Sequence, residues 1–282
     1  MNEGRQLKPT IIEQPKTPAQ IEIIRTAVRL VNDYLKKLGV ENLPFDERRI
    51  VYTKQSNKPK KVGHRLIEAG YSRNKDLIEI PELAEAHLAL LVHEILHAKS
   101  AEWRNYPEDS VINLLEERPI KKKGGSVVNK SLGVKTGFVR DSFKNINEGV
   151  TEKITREIME ANTTEIDRLQ PFFEGKASPV LRTALYDPNI ELIDIITEGI
   201  AKHNFKKNSS IDIEQEKSNT WKELQKAYFG GHTMYLRKID EVFGKGTLRR
   251  IEEFPYLEID DTKITLAATL YFDEMRNKIN NI

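Results

Sequence analysis

A chain of 282 residues, 38% apolar and 31% charged, can bury a real core and is too apolar to stay disordered. Its 45 basic and 43 acidic residues leave a formal net charge of +2, which gives no electrostatic reason to expect nucleic acid or an anionic membrane as partner. Cysteine is absent, which removes thiolates from the possible nucleophiles and metal ligands and favours a reducing compartment, so a cytoplasmic location is expected.

Residues 1–16 are polar, contain Pro9 and Pro15, and read as a flexible arm without the apolar stretch of a secretory signal. Thr17-Pro18 predicts a helix start, an N-cap followed by proline at the first helical position. Ile21, Ile24, Val28, Val31 and Leu35 follow at helical spacing, and Gly39 marks the end. Three short strands are expected next, at Ile50 to Tyr52, His64 to Ile67 and Leu77 to Ile80, with a polar turn at Ser72-Arg73-Asn74. Pro81 then opens a helix expected to reach about Trp103. Its apolar run, Leu88 to Val92, is much too short to span a bilayer. Lys121 to Phe138, rich in lysine and glycine, predicts a small hairpin or flap. A second strong helix covers about Asn145 to Asn162, with Ile146, Val150, Ile154 and Ile158 four residues apart. Beyond Thr163 the pattern is helical, with breaks at Pro171, Pro179, Pro188, residues 208–210, Gly230-Gly231 and Gly244 to Gly246.

The chemistry concentrates in His93-Glu94-Ile95-Leu96-His97. Residues four apart share a helix face, so His93 and His97 can present two neutral imidazoles to one ion. Glu94 projects beside the ion, where a carboxylate can take a proton from activated water and pass it to a leaving amine. Leu83, Ala86, Leu90, His93, His97 and Ala101 form one stripe, expected to be the helix's buried face. Two inward histidines need partners, and a metal ion supplies both.

A catalytic zinc site needs a third protein ligand and an open position for water. With no cysteine, and with Trp103 where the metzincin extension has a third histidine, a carboxylate is expected. Glu148, in Asn147-Glu148-Gly149-Val150-Thr151-Glu152, is the first candidate; Glu152, one turn on, is placed to hold a ligating histidine's free ring nitrogen. The competing candidates are Glu116 and Glu117, nineteen and twenty residues past His97.

Taken together, the motif at His93 to His97 and the motif at Asn147 to Glu152 resemble the gluzincins, the thermolysin-like branch of zinc metallopeptidases. The resemblance runs from about Leu77 to Ile158. It implies His93, His97 and Glu148 as zinc ligands, Glu94 as general base and acid, and Glu152 behind them. It also implies that Leu77 to Ile80 is the edge strand that pairs with an extended substrate. The chain departs from thermolysin itself in spacing, since fifty residues lie between His97 and Glu148. Such enzymes add an oxyanion donor from the C-terminal half, and Tyr228, His232 or Tyr235 could supply it. The alternative for Tyr228 and Tyr235 is a place in the helical core.

The expected fold is therefore α+β and zincin-like. A small β-containing N-terminal lobe and a mostly helical C-terminal lobe flank the active-site helix. Residues 17–162 would form the catalytic core and 163–282 a helical lobe completing the cleft. The expected function is zinc-dependent hydrolysis of a peptide or protein substrate, without nucleic-acid or membrane partners. The alternative is a zincin-fold binding or sensor protein with little or no turnover. The pattern leaves substrate and oligomeric state open.

Overall fold

The computed structural model describes residues 13–40, 45–53, 70–72, 77–81, 88–100, 144–169, 187–208, 212–230, 233–253 and 262–282. The expected strand at His64 to Ile67, the flap, Trp103, Glu116, Glu117, Pro171, Pro179 and His232 lie outside these residues. The described part is mostly helical with one small sheet, an α+β chain. Among the described residues, no helix is long and apolar enough to cross a membrane.

The chain divides into two compact units, Met1–Lys99 with Thr155–Arg182, and Ser100–Ile154 with Thr183–Ile282. The first unit begins at the described strand β1 (Glu13–Gln14) and helix α1 (Pro18–Leu38). Helix α1 starts where the sequence predicts, and Thr17 and Gln20 form a reciprocal capping box at 2.8 and 3.2 Å. It stops at Gly39, whose φ of 73° is left-handed. The Gly39 and Val40 N–H groups donate back to Lys36 and Leu35, so two terminal carbonyls are satisfied. Ile24, Val28, Val31 and Leu35 are buried as expected, with Ile23 and Leu30 beside them; Ile21 is only half-buried.

The sheet of unit 1 has the order β1, β2 (Ile50–Thr53), β4 (Leu77–Pro81), β3 (Gly70–Ser72). Strands β2 and β4 are parallel, and β1 and β3 are antiparallel to their neighbours. Its centre forms from β-branched residues, and Ile50, Ile78 and Ile80 are fully buried. Three expectations change. Glu13 and Gln14, read as arm, pair with Thr53 and Tyr52. Leu77 to Ile80 is an inner strand, and among the described strands the outer one on that side is β3, which takes in Ser72. Pro81 closes β4 opposite Thr53 instead of opening a helix; a proline is tolerated there because a strand end can do without its N–H. Helix α2 (Leu88–Lys99) packs on α1, β3 and β4.

Helix α3 (Lys144–Ala161) matches the predicted helix to within a residue and is continuous through the division between units. Its C-terminal part and α4 (Thr163–Leu169) belong to unit 1. There Tyr34 donates to Glu157 at 2.6 Å, and Arg29 and Arg168 pair with Glu165 and Glu22.

Unit 2 contains α5 (Asp187–Lys207), α6 (Ile213–Gly230), α7 (Arg237–Phe243), α8 (Thr247–Glu253) and α9 (Thr262–Asn280). Helix α5 is central, packing on α6, α7 and α9. Among the described residues, α5 ends before Asn208, α6 ends at Gly230, and Gly244 to Gly246 separate α7 from α8, at three of the expected breaks. Pro188 differs, because it sits in the first turn of α5, where its missing N–H costs no helical bond.

Candidate metal centre

Helix α2 is buried nearly all round. Leu88, Leu91, Val92, Ile95 and Leu96 are fully buried, while His93 and Glu94 are 5% and 8% exposed. Leu90 and His97 are only half-buried. Of the stripe expected to be buried, His93 is buried and Leu90 and His97 half-buried, while Leu83, Ala86 and Ala101 lie outside the described residues.

The His93 and His97 Nε2 atoms stand 3.1 Å apart, with ring centroids 4.7 Å apart and planes at 74°. Two nitrogens bound at about 2.0–2.1 Å to a tetrahedral ion stand roughly 3.3 Å from each other. The pair therefore already has nearly the spacing that one shared ion imposes. Ligand atoms of His93, His97 and Glu148 all lie within 4.8 Å of one another, a group that could hold a metal ion. Two imidazoles and one carboxylate are a donor set that divalent first-row ions accept.

Glu94 is held from the sheet. Its Oε2 accepts the main-chain N–H of Tyr71, on β3, at 2.7 Å. No sequence signal marks this contact, since every residue except proline offers the same N–H. Lys99, in the last turn of α2, is pushed down to about 8 by burial, with the Arg49 charge adding to the effect.

On α3, Glu148 is half-buried and Glu152 is 6% exposed. The turn carrying Glu148 sits in a buried polar setting that the four-residue apolar spacing does not reveal. Asn145, Asn147, Thr151 and Thr155 are all buried. The Thr151 hydroxyl donates to the Asn147 carbonyl at 2.7 Å, and Tyr228 lies 2.6 Å from the same oxygen. Since Thr151 has one proton and spends it on Asn147, Tyr228 is the donor of the second bond. Gly149 lies against α5, where an added Cβ would meet the Asn189 carbonyl oxygen at 2.5 Å and Ile193 Cγ1 at 2.7 Å.

Tyr228, one candidate oxyanion donor, is 2% exposed. Its hydroxyl proton is committed to Thr151, which agrees with the core alternative. Tyr235 likewise donates to the Thr220 carbonyl at 3.1 Å, and burial pushes its phenol above the usual range. Elsewhere in unit 2 a groove of about 560 Å³ is lined by Asp187, Glu191, Asp194, Glu198 and Arg276 among others, but by none of the candidate site residues. Its acidic groups are partly neutralised, Asp194 by Lys153 and Glu191 by Arg276. Among the described residues, the group that could hold a metal ion is His93, His97 and Glu148. Comparison of the chain with protein-family models, curated proteins and solved structures finds no match.

Proposed function

We propose that the chain is a zinc-dependent metallopeptidase of the gluzincin type, acting on a peptide or protein substrate. The observation that carries this reading is the convergence of His93, His97 and Glu148 ligand atoms within 4.8 Å, on the motif that also supplies Glu94. His93, His97 and Glu148 would hold the ion. When bound, zinc supplies Lewis acidity, making water a better nucleophile and polarising the scissile carbonyl.

The rest is done by the chain's own groups. Glu94 keeps Oε2 on the Tyr71 N–H, leaving Oε1 to accept a proton from the attacking water and return it to the departing amine. Glu152, buried one turn beyond Glu148, would be the group to hold the free ring nitrogen of a ligating histidine. Tyr228, Tyr235 and His232 stay the candidates for the oxyanion, the two tyrosines being hydrogen-bonded to Thr151 and Thr220 in the described structure. The zincin-like fold belongs to the same reading, with the outer strand β3 beside the motif helix α2.

Metal analysis and cleavage of a denatured protein substrate test the proposal together. The purified chain should carry about one zinc, lost in His93→Ala. Glu94→Gln should keep the zinc and lower kcat by about 10²–10⁴-fold. Zinc binding without cleavage by the wild type would favour a zincin-fold binding or sensor protein, and a wild type that binds no metal would sink both.

A further inference from the structure

We propose that the main-chain N–H of Tyr71 is the positioning group for Glu94, so that the outer strand β3 aims the carboxylate that carries the proton. The role rests on the peptidase reading above. A glutamate on a helix has three rotatable bonds between backbone and carboxylate, and nothing in His-Glu-x-x-His by itself selects one rotamer. Here Glu94 is 8% exposed, and the bond from Tyr71 is 2.7 Å, within the range of a charge-assisted N–H donor to a carboxylate. It fixes one oxygen and leaves the other for chemistry.

The sheet makes that N–H available. In an antiparallel ladder, residue pairs alternate between those that exchange both main-chain bonds and those that exchange none. Tyr71 stands opposite Ile78, with Gly70 opposite Glu79 and Ser72 opposite Leu77. An N–H directed at Glu94 marks Tyr71–Ile78 as a pair that exchanges none. Because β3 is the last strand in the order, that N–H leaves the outer edge. Ile78, fully buried in β4, anchors the register. A slip of one residue would turn the Tyr71 N–H back toward β4 and leave Glu94 without its donor. The three-residue strand that the sequence pattern hides is thus the part of the sheet that touches the reaction.

Two measurements test this. Tyr71→Pro deletes the N–H at a place where the sheet does not use it. Its kcat should fall roughly 10- to 100-fold, the cost of a misplaced catalytic group, with KM and zinc content unchanged. If the proline variant does not fold, an ester in place of the amide at position 71 removes the same donor without a ring, and the same split is expected. The second readout needs no turnover. In the metal-free protein, Tyr71 amide hydrogen exchange should speed up at least about tenfold in Glu94→Ala, as an N–H that has lost its acceptor does. Wild-type kcat in a folded donor-deleted variant, or equal Tyr71 exchange with and without the Glu94 carboxylate, overturns the role while leaving the peptidase reading standing. No cleavage by the zinc-loaded wild type takes down both.

Discussion

The two helices that supply the candidate ligands are buried by different chemistry. Helix α2 is held by apolar area, with Leu88, Leu91, Val92, Ile95 and Leu96 all fully buried. Helix α3 has its own buried apolar row, Ile146, Val150, Ile154 and Ile158, but beside it lies a buried polar row. Asn145 Nδ2 donates to the Ile251 carbonyl at 2.9 Å, Asn189 Nδ2 to the Asn145 carbonyl at 3.1 Å, and Tyr228 to Thr151 at 2.6 Å. An apolar helix is positioned by volume, which neighbouring side chains can partly take up. A helix positioned by hydrogen bonds depends on each partner, because a buried donor left unmatched keeps its full desolvation cost. The histidine pair therefore rests on packing, and the Glu148 turn on a polar framework with little slack.

The contrast can be broken by mutation, starting with the largest effect. Leu91→Ala should cost about 2–5 kcal/mol in denaturant unfolding, while Leu91→Met should cost under about 1.5. If the two cost the same, volume is not what holds α2. Next, zinc at a hundred times its dissociation constant should stabilise the wild type by about 2.7 kcal/mol and His97→Ala by much less. An equal gain in both, by thermal melting, would place the metal elsewhere. Gly149→Ala pushes a Cβ to 2.5 Å from a carbonyl oxygen, contact with backbone that a rotamer change cannot relieve. It should cost about 1–3 kcal/mol and weaken zinc binding by displacing the Glu148 turn. Unchanged stability and affinity would show that α3 and α5 have room to separate. Smallest is Tyr228→Phe, which removes one donor while Thr151 keeps its bond to Asn147, for about 0.5–1.5 kcal/mol. If it instead abolishes cleavage while leaving stability intact, Tyr228 acts on substrate and the core assignment is wrong.

Much of the fold was legible because local rules agreed with tertiary packing. The Thr17 cap, the Gly39 stop, the strands at Ile50 and Leu77, and the four-residue spacing of α3 all appear as predicted. Pro81 was misleading because proline suits a strand end as well as a helix start. Strand β3 was hidden because Gly70-Tyr71-Ser72 has no alternating apolar pattern; its pairing comes from β4.

The sequence alone determined the residue types that make a metal centre thinkable. Two histidines four apart with a glutamate between them, and no cysteine anywhere, follow from helical geometry and donor chemistry. Which distant carboxylate could join them is a matter of the fold, since fifty intervening residues say nothing about where a chain returns; among the described residues the carboxylate whose oxygen lies within 4.8 Å of both histidines is Glu148. The fold also decided that Tyr228 faces Thr151 and that a main-chain N–H holds Glu94. Side-chain identity is written in the sequence, but a backbone donor is the same at nearly every position. Only the fold can say which one is aimed at a carboxylate.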